Sequence, residues 1–164
     1  TKNFNVGAGV RTFDAAAYLR RAGADPVLVR TLFQSDYETT VSLARAKANA
    51  VYYPGGLIVG SLPDLLPNGQ IIAAQAADGM LRVDGVRMSI YVFQMAGDMV
   101  GISARSTGEM NVQVIMEAFG GGGHANVAGA QVKGVPLDEV RAQVVEKAKA
   151  YIEESDQRES HTAG

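Results

Sequence analysis

The sequence lacks cysteine and tryptophan altogether, has only two histidines, and contains no apolar run near the ~20 residues needed to cross a bilayer. Without cysteine, a disulfide scaffold, a thiolate zinc site and a cysteine nucleophile are excluded. A basic excess is also missing, because 15 Lys+Arg face 17 Asp+Glu for a net charge of −2. Sequence-independent binding of nucleic acid needs clustered Lys and Arg, so the composition argues against it. The first residue is Thr rather than Met, so we expect the 164 residues to belong to a longer protein.

The sequence has the composition of a globular domain, with 47% hydrophobic and 20% charged residues. A chain of this length can bury roughly 70% of its unfolded surface, so a core can form without a disulfide or a metal. Helical and strand patterns alternate along the chain. They predict an α/β fold in which helices flank a mixed β-sheet.

The N-terminal part is predicted to be helical. A helix follows Thr12 and ends at Gly23, with Pro26 just beyond it. A second helix begins near Ser35, and its apolar stripe continues to Val51, which indicates a connecting helix.

The clearest local pattern is a β-hairpin. A β-branched and aromatic stretch at 88–95, a turn and a second apolar stretch at 100–105 predict two antiparallel strands. Because side chains alternate along a strand, Ser103 and Arg105 share the face opposite Ile102. The other predicted elements are a strand at 57–59, a helix at 70–77, a helix ending at Gly120, a strand at 130–132, a helix from Leu137 and a polar, frayed tail from Glu153.

Four consecutive glycines, Gly120–Gly123, precede His124 and form the strongest local signal for function. One glycine would suffice to end a helix. The run is either a helix stop with a flexible loop, or a loop whose N–H groups and His124 bind a phosphate or a nucleobase edge. It is not a P-loop, because no Gly-Lys-Ser/Thr follows it. The only other histidine is His161, so His124 is expected to donate a hydrogen bond rather than to bind metal or act as a base.

Arg105 has two interpretations at this point. Its planar guanidinium, which stays charged at any working pH, suits a phosphate. The same side chain can equally form a surface ion pair with a nearby Glu that contributes nothing to function.

Three segments at this spacing resemble a known family: Gly-Ile-Ser-Ala-Arg-Ser at 101–106, Asn-Val-Gln-Val-Ile-Met-Glu at 111–117 and Gly-Gly-Gly-Gly-His at 120–124. They resemble the C-terminal DHH-associated domain of the DHH phosphoesterases, most closely that of the GdpP-type cyclic-di-AMP phosphodiesterases. The resemblance covers roughly residues 1–155. Thr1–Phe4, in particular, is similar to the closing segment of the catalytic DHH domain.

The resemblance implies a division of the chain into four parts. Residues 1–34 would be a helical remnant of the catalytic DHH domain, and 35–50 a connecting helix. Residues 51–155 would form the DHH-associated substrate-binding domain, and 156–164 a polar tail.

The resemblance also implies an activity. The parent protein would hydrolyse cyclic-di-AMP to linear pApA with two manganese ions, which generate the attacking hydroxide. Asp and His residues of the DHH domain would hold those ions. None would be bound by this chain, which is therefore expected to be inactive by itself.

By the same resemblance, a substrate-binding role falls on seven residues around the glycine run and the second strand of the hairpin. They are Ser103, Arg105, Gly121, Gly122, Gly123, His124 and Asn126. After the glycines the sequence departs from the His-x-Thr-Asn-Ala-Ala pattern of GdpP-type proteins, and its Ala128-Gly129 pair is similar to the wider DHH superfamily.

Three alternatives to a cyclic-di-AMP phosphodiesterase stay open: an oligoribonucleotide or single-strand nucleic-acid phosphodiesterase, a non-catalytic nucleic-acid-binding module, and a dimerisation domain. The expected partners are cyclic-di-AMP or a related dinucleotide, the rest of the DHH domain and, through exposed apolar residues such as Phe4 and Phe13, a second copy. The chain is expected to be a cytoplasmic domain of a membrane-anchored parent, with no membrane contact of its own.

Overall fold

The computed structural model describes residues 7–162, and its chain divides into two compact units, one ending at Asp36 and one beginning at Tyr37. The first unit contains helices α1 (Val10–Arg21) and α2 (Pro26–Thr31). The predicted first helix is confirmed, but it begins at Val10 with Gly9 as its N-cap, so Thr12, the expected N-cap, lies inside it. Helix α2 was not predicted. None of residues 7–36 is buried. Thr1–Phe4, which carries part of the family resemblance, lies outside the described residues.

The second unit contains a six-stranded mixed sheet in the order β1-β2-β3-β4-β6-β5. Its strands are β1 (Val51–Tyr53), β2 (Leu57–Leu62), β3 (Met88–Gln94), β4 (Met99–Ser106), β5 (Gly122–His124) and β6 (Val127–Lys133), and its helices are α3 (Tyr37–Ala48), α4 (Gly69–Met80), α5 (Val112–Glu117) and α6 (Leu137–Thr162). β2 and β3 are parallel, and every other neighbouring pair is antiparallel. The predicted α/β fold, a mixed sheet flanked by helices, is confirmed.

One face of the sheet is covered by α5 and α6. Ile90, Val92 and Ile102 point to this face and are buried. Helix α6 meets them with an apolar stripe spaced three, four, four and four residues apart, as an amphipathic helix requires. The stripe consists of Leu137, Val140, Val144, Ala148 and Ile152.

The other face is covered only in part, by α3 and α4. Tyr91 and Phe93 of β3 pack there against the small residues of α4, Ala73, Ala76 and Ala77. Burial raises the pKa of Tyr91 to about 12, because the charged phenolate would lose its hydration. The Tyr91 hydroxyl donates a long hydrogen bond of 3.4 Å to the carbonyl of Ala46.

Two predictions about element boundaries were wrong. Helix α3 ends at Ala48, and Val51 begins strand β1 by pairing with Val59. The tail from Glu153 was expected to be frayed, but α6 continues to Thr162. Asp156 accepts a hydrogen bond of 2.8 Å from Arg87, a residue 69 positions away. This contact ties the extension of α6 to the segment that precedes β3.

The glycine run is also not a loop throughout. Gly122–His124 forms strand β5 and pairs with β6, which begins at Val127 rather than at residue 130. Glycine has a low strand propensity, so the local sequence did not predict this strand. Strand β6 supplies hydrogen-bond partners for the main chain of β5. The sequence pattern of β6 does not indicate that it pairs with the glycine run.

Candidate functional site

The register of the sheet brings the predicted residues together on its partly covered face. Across the strands, Ser103 pairs with Gly129 and Gly129 with Gly122. In the next row, Arg105 pairs with Val127 and Val127 with His124. Because directly paired residues point to the same side of a sheet, the side chains of Ser103, Arg105 and His124 all face the side on which α4 lies.

Helix α4 contacts β3 and β4, whereas the same face of β6 and β5 is accessible. Val127 is 48% exposed, and Gln131 and His124 are exposed as well. The boundary between the covered and the accessible part is therefore a step in the surface, with α4 as its wall and strands as its floor.

A cleft of about 520 Å³ lies along this step, which is within the size range of small-molecule sites. Gln70 and Ala74 of α4 and Phe93 of β3 line one side of it. The remaining lining comes from β4, β6 and the glycine run: Ile102, Ser103, Arg105, Gly120, Gly121, Ala128, Gly129, Ala130 and Gln131.

The floor of the cleft is largely main chain. Ile102 and Ala128 have side chains in the core of the opposite face, yet both residues line the cleft. Gly129, which lies beside them, has no side chain to cover their backbone. A ligand on this floor can approach peptide groups directly, as glycine-rich binding surfaces allow.

Arg105 is the only cationic residue that lines the cleft in the part of the chain that the structure describes, and it is held firmly. Its Nε donates to Oδ1 of Asp78 at 3.0 Å. Its Nη1 donates to Oγ of Ser103 at 3.2 Å and to the carbonyl of Ala104 at 2.9 Å. The side chain is 13% exposed. Of the two interpretations of Arg105, an ion pair does exist, but its partner is an Asp and the pair borders a cleft.

Ser103 is 8% exposed and accepts a hydrogen bond from Arg105. A hydroxyl that accepts one hydrogen bond still has its own hydrogen to donate. Ser103 lines the cleft, so this O–H and the guanidinium of Arg105 offer two adjacent donors to an anionic group.

The fold itself accounts for three glycines of the run. Gly120 ends α5 with a φ of 73°, and Gly121 approaches β6 so closely that a Cβ would overlap the carbonyl of Gly129. A Cβ on Gly123 would lie 2.5 Å from the carbonyl of Val127. Gly122 differs from these, because it has no positive φ and no atom within 4 Å of a Cβ built there. Nothing in the fold requires glycine at 122, which faces the side of the sheet that carries the cleft and pairs with the lining residue Gly129.

Four of the seven predicted residues do not line the cleft: Gly122, Gly123, His124 and Asn126. Gly122 and His124 face the same side of the sheet as the cleft but lie nearer the sheet edge, on β5. The other two lie elsewhere. Gly123 pairs with Ala128 and so faces the opposite side of the sheet. Asn126 lies in the turn between β5 and β6, with its side chain beside Gly108. Its carbonyl accepts a hydrogen bond of 3.0 Å from the amide of Ser106, which anchors the turn.

Sequence reasoning missed the wall of the cleft. Gln70 and Ala74 line it, and Asp78 continues their spacing of four residues along α4, so the three lie on one stripe of the helix. The same spacing was visible in the sequence, but nothing local indicated that this stripe would face Arg105. Phe93 was missed for a similar reason, because its position depends on a residue of another strand. Its ring lies against Gly101 of β4, where the Cβ of any other residue would overlap the ring.

A second, apolar groove of about 460 Å³ adjoins the cleft and shares Gln70 and Phe93 with it. Leu65, Leu66 and Met95 contribute to its lining. The two cavities together offer a polar, cationic compartment beside an apolar one.

Within residues 7–162, no group of three or more His, Cys, Asp or Glu side chains is arranged to hold a metal ion. The donor set of the cleft, a guanidinium, a hydroxyl and two carboxamides, does not suit a manganese ion either, which favours carboxylate, imidazole and water ligands. In the same part of the chain, the helices are too short or too polar to span a bilayer.

Comparison with known proteins points to one family. The DHHA1 domain model matches residues 68–154, which is more than half of the chain. "Cyclic-di-AMP phosphodiesterase PdeA" of Listeria monocytogenes is 42% identical over 151 residues, covering 92% of this chain and 23% of the relative. "Cyclic-di-AMP phosphodiesterase GdpP" of Bacillus subtilis is 39% identical over 160 residues, covering 96% of this chain and 24% of the relative. The chain thus spans about a quarter of the length of these relatives.

Among solved structures, an exopolyphosphatase-related protein from Bacteroides fragilis superposes with a TM-score of 0.76 at 17% sequence identity. The superposition covers 90% of this chain and 45% of that protein. At this level of identity the likeness establishes a shared fold.

Proposed function

Because this chain belongs to the DHHA1 domain family, we propose that it is the substrate-binding part of a cyclic-di-AMP phosphodiesterase. The observation that carries the proposal is the cleft beside α4, where Arg105 and Ser103 stand at the edge of a floor of glycine main chain. Two relatives at 39% and 42% identity carry the name of that activity and support the choice of substrate.

The cleft and its neighbouring groove match the chemistry of a dinucleotide. A phosphate needs charge-assisted donors, which Arg105 and Ser103 supply. A purine needs an apolar slot, which the groove lined by Leu66 and Met95 supplies. Half of a two-domain site makes only some of the contacts of the whole, so we expect a dissociation constant on the order of 0.1–1 mM for the isolated chain, or roughly −4 to −5.5 kcal/mol.

We further propose that hydrolysis depends on manganese held outside the described residues, so that this chain binds the dinucleotide without cleaving it. The donor set of the cleft supports this division of labour. Incubation of the purified chain with manganese and cyclic-di-AMP tests it, and we expect no pApA by chromatography. Formation of pApA at a rate that follows the protein concentration would contradict it.

The binding test uses the glycine that the fold does not need. Gly122→Ala places a methyl group on the same side of the sheet as the cleft, directly beside Gly129, which lines it. No protein atom lies within 4 Å of that methyl position, so the methyl group restricts only a ligand that extends from the cleft over β5. We expect NMR titration of the labelled chain with cyclic-di-AMP and pApA to show shifts around Arg105 and 120–124. We expect Gly122→Ala to weaken binding at least fivefold at unchanged melting temperature.

Gly9→Ala is the matched control, because Gly9, like Gly122, lies outside the left-handed region and has no atom within 4 Å of a Cβ built there. It should leave affinity unchanged. Equal affinity of wild type and Gly122→Ala would place the ligand elsewhere. Absence of binding at millimolar dinucleotide, or clearly tighter binding of a longer oligoribonucleotide, would contradict the proposed substrate.

A further inference from the structure

The wall and the floor of the cleft are joined by one ion pair. Asp78 lies one helical turn beyond Ala74 on the α4 stripe whose members Gln70 and Ala74 line the cleft. Its Oδ1 accepts from Nε of Arg105 at 3.0 Å. The two residues are 27 positions apart in the sequence. The side chain of Asp78 is 36% exposed and that of Arg105 is 13% exposed.

The hydrogen bonds of Arg105 leave one nitrogen free for a ligand. Asp78 takes Nε, while Ser103 and the carbonyl of Ala104 take Nη1. Among residues 7–162, no group accepts a hydrogen bond from Nη2. Because a guanidinium is planar, fixing two of its nitrogens fixes the direction of the third.

From this geometry we propose that Asp78 is a positioning residue, which holds Arg105 so that Nη2 is presented to a phosphate oxygen of the bound nucleotide. The inference rests on the proposed function and adds a residue to it. An arginine that is already ordered loses less conformational entropy when it binds, so its contribution to affinity rises. Asp78 itself touches no ligand in this arrangement.

A carboxylate next to a phosphate site could also oppose binding by competing for the guanidinium. The geometry favours positioning over competition, because Asp78 occupies Nε and leaves Nη2 untouched. Substitutions separate these effects: Asp78→Asn keeps an oxygen acceptor for Nε and removes the charge, whereas Asp78→Ala removes both.

Ser89 provides a matched control. It pairs directly with Arg105 across β3 and β4 and is fully buried. Its hydroxyl has no hydrogen-bond partner in the described part of the chain. Ser89→Ala thus alters a buried neighbour of Arg105 without removing any contact that holds the guanidinium.

The affinity of each variant of the full 164-residue chain for pApA is measured by NMR titration. We expect Asp78→Ala to bind on the order of tenfold more weakly, and Asp78→Asn and Ser89→Ala to stay within about threefold of wild type. Tighter binding by Asp78→Ala would show competition, and an equal loss in Asp78→Asn would show that the charge matters rather than the position. Either result overturns the inference.

A double-mutant cycle with Arg105→Ala tests whether Asp78 acts through Arg105. If it does, Asp78→Ala has no further effect on affinity once Arg105 is absent. Additive losses in the double variant would overturn the inference. A merely structural ion pair would couple the two residues in melting temperature but not in affinity.

The Nε–Hε signal of Arg105 gives an independent readout without ligand. A clamped guanidinium should show a resolved, slowly exchanging signal that persists in Asp78→Asn and vanishes in Asp78→Ala. If the alanine variant does not fold, an averaged Nε–Hε signal in the wild type still overturns the clamp. If the wild type shows the resolved Nε–Hε signal but does not bind pApA, the proposed function is contradicted. If Asp78→Ala binds pApA as tightly as the wild type, only this inference is contradicted.

Discussion

The two faces of strand β4 differ in what their side chains do. Val100, Ile102 and Ala104 are buried under α5 and α6 and belong to a continuous apolar core. Gly101, Ser103 and Arg105 alternate with them on the other face, where the cover provided by α4 ends and the cleft begins. One strand thus supplies the core with one set of side chains and the candidate site with the other.

The comparison extends across the sheet. On the covered face, neighbouring strands meet with β-branched and long side chains, which maximise buried apolar area. On the face of the cleft, the residues opposite Ser103 on the way to the edge are Gly129 and Gly122. These small residues bury little apolar area and leave space for a ligand. Substitutions on the covered face should therefore change stability, and substitutions on the face of the cleft should change ligand affinity.

The largest effect is expected on the covered face. Ile90→Ala removes a fully buried side chain from the centre of β3 and should lower the free energy of unfolding by about 2–5 kcal/mol. Urea denaturation measures this. Ile71→Ala is the control, because Ile71 is 55% exposed and should change stability by less than about 0.5 kcal/mol. The nucleotide affinity of the folded Ile90→Ala protein should be unchanged. A large loss of affinity would contradict the separation of stability and binding between the two faces.

A second effect lies under α4, on the covered part of the other face. Tyr91 has a pKa of about 12 in the folded protein, compared with about 10 when unfolded. Above pH 10 the unfolded state loses this proton first, so the free energy of unfolding should fall by roughly 2 kcal/mol between pH 10 and pH 12. Below pH 10 this contribution is fully present.

Tyr91→Phe should remove that part of the alkaline destabilisation, as measured by denaturation at a series of pH values. Tyr52→Phe serves as its control, since Tyr52 is 55% exposed. Identical pH profiles for wild type and Tyr91→Phe would mean that Tyr91 is less completely desolvated than its burial indicates.

The smallest effect concerns the accessible part. Arg105→Lys keeps the charge but cannot donate to Asp78, Ser103 and a phosphate in one plane. We expect roughly tenfold weaker binding of pApA, about 1.4 kcal/mol, with a melting temperature close to that of wild type. Arg82→Lys, at an exposed position after α4, should leave affinity unaltered. If Arg105→Lys binds pApA with wild-type affinity, Arg105 contributes only its positive charge and not the planar geometry of its guanidinium.

The features that the sequence predicted correctly are those with a local pattern. The β3–β4 hairpin and the alternation of Ile102 with Ser103 follow from the period of two along a strand, and the position of α6 follows from its helical stripe. These patterns involve residues close together in the chain. The family resemblance added the expectation that Ser103, Arg105 and the glycines would lie near one another, and the register of β4, β6 and β5 brings most of them to one face.

The features that the sequence did not predict depend on contacts between distant residues. Strand β5 exists because β6 pairs with it, although its glycines favour no strand by themselves. The C-terminal extension of α6 is held by Asp156 and Arg87, and the orientation of Arg105 by Asp78. Periodicity carries no information about which side chain on one element will meet a charge on another.

The parallel pairing of β2 with β3 has a consequence for how the cleft is built. Antiparallel strands can be joined by a short turn, but parallel neighbours need a crossover that returns the chain to its starting edge. Helix α4 is that crossover. The segment that walls the cleft is therefore also the segment without which β2 could not join the sheet in this direction. Deleting or shortening α4 would change the topology along with the site, so variation among related proteins should be confined to the side chains of its cleft-facing stripe, and insertions should accumulate in the turns on either side of it.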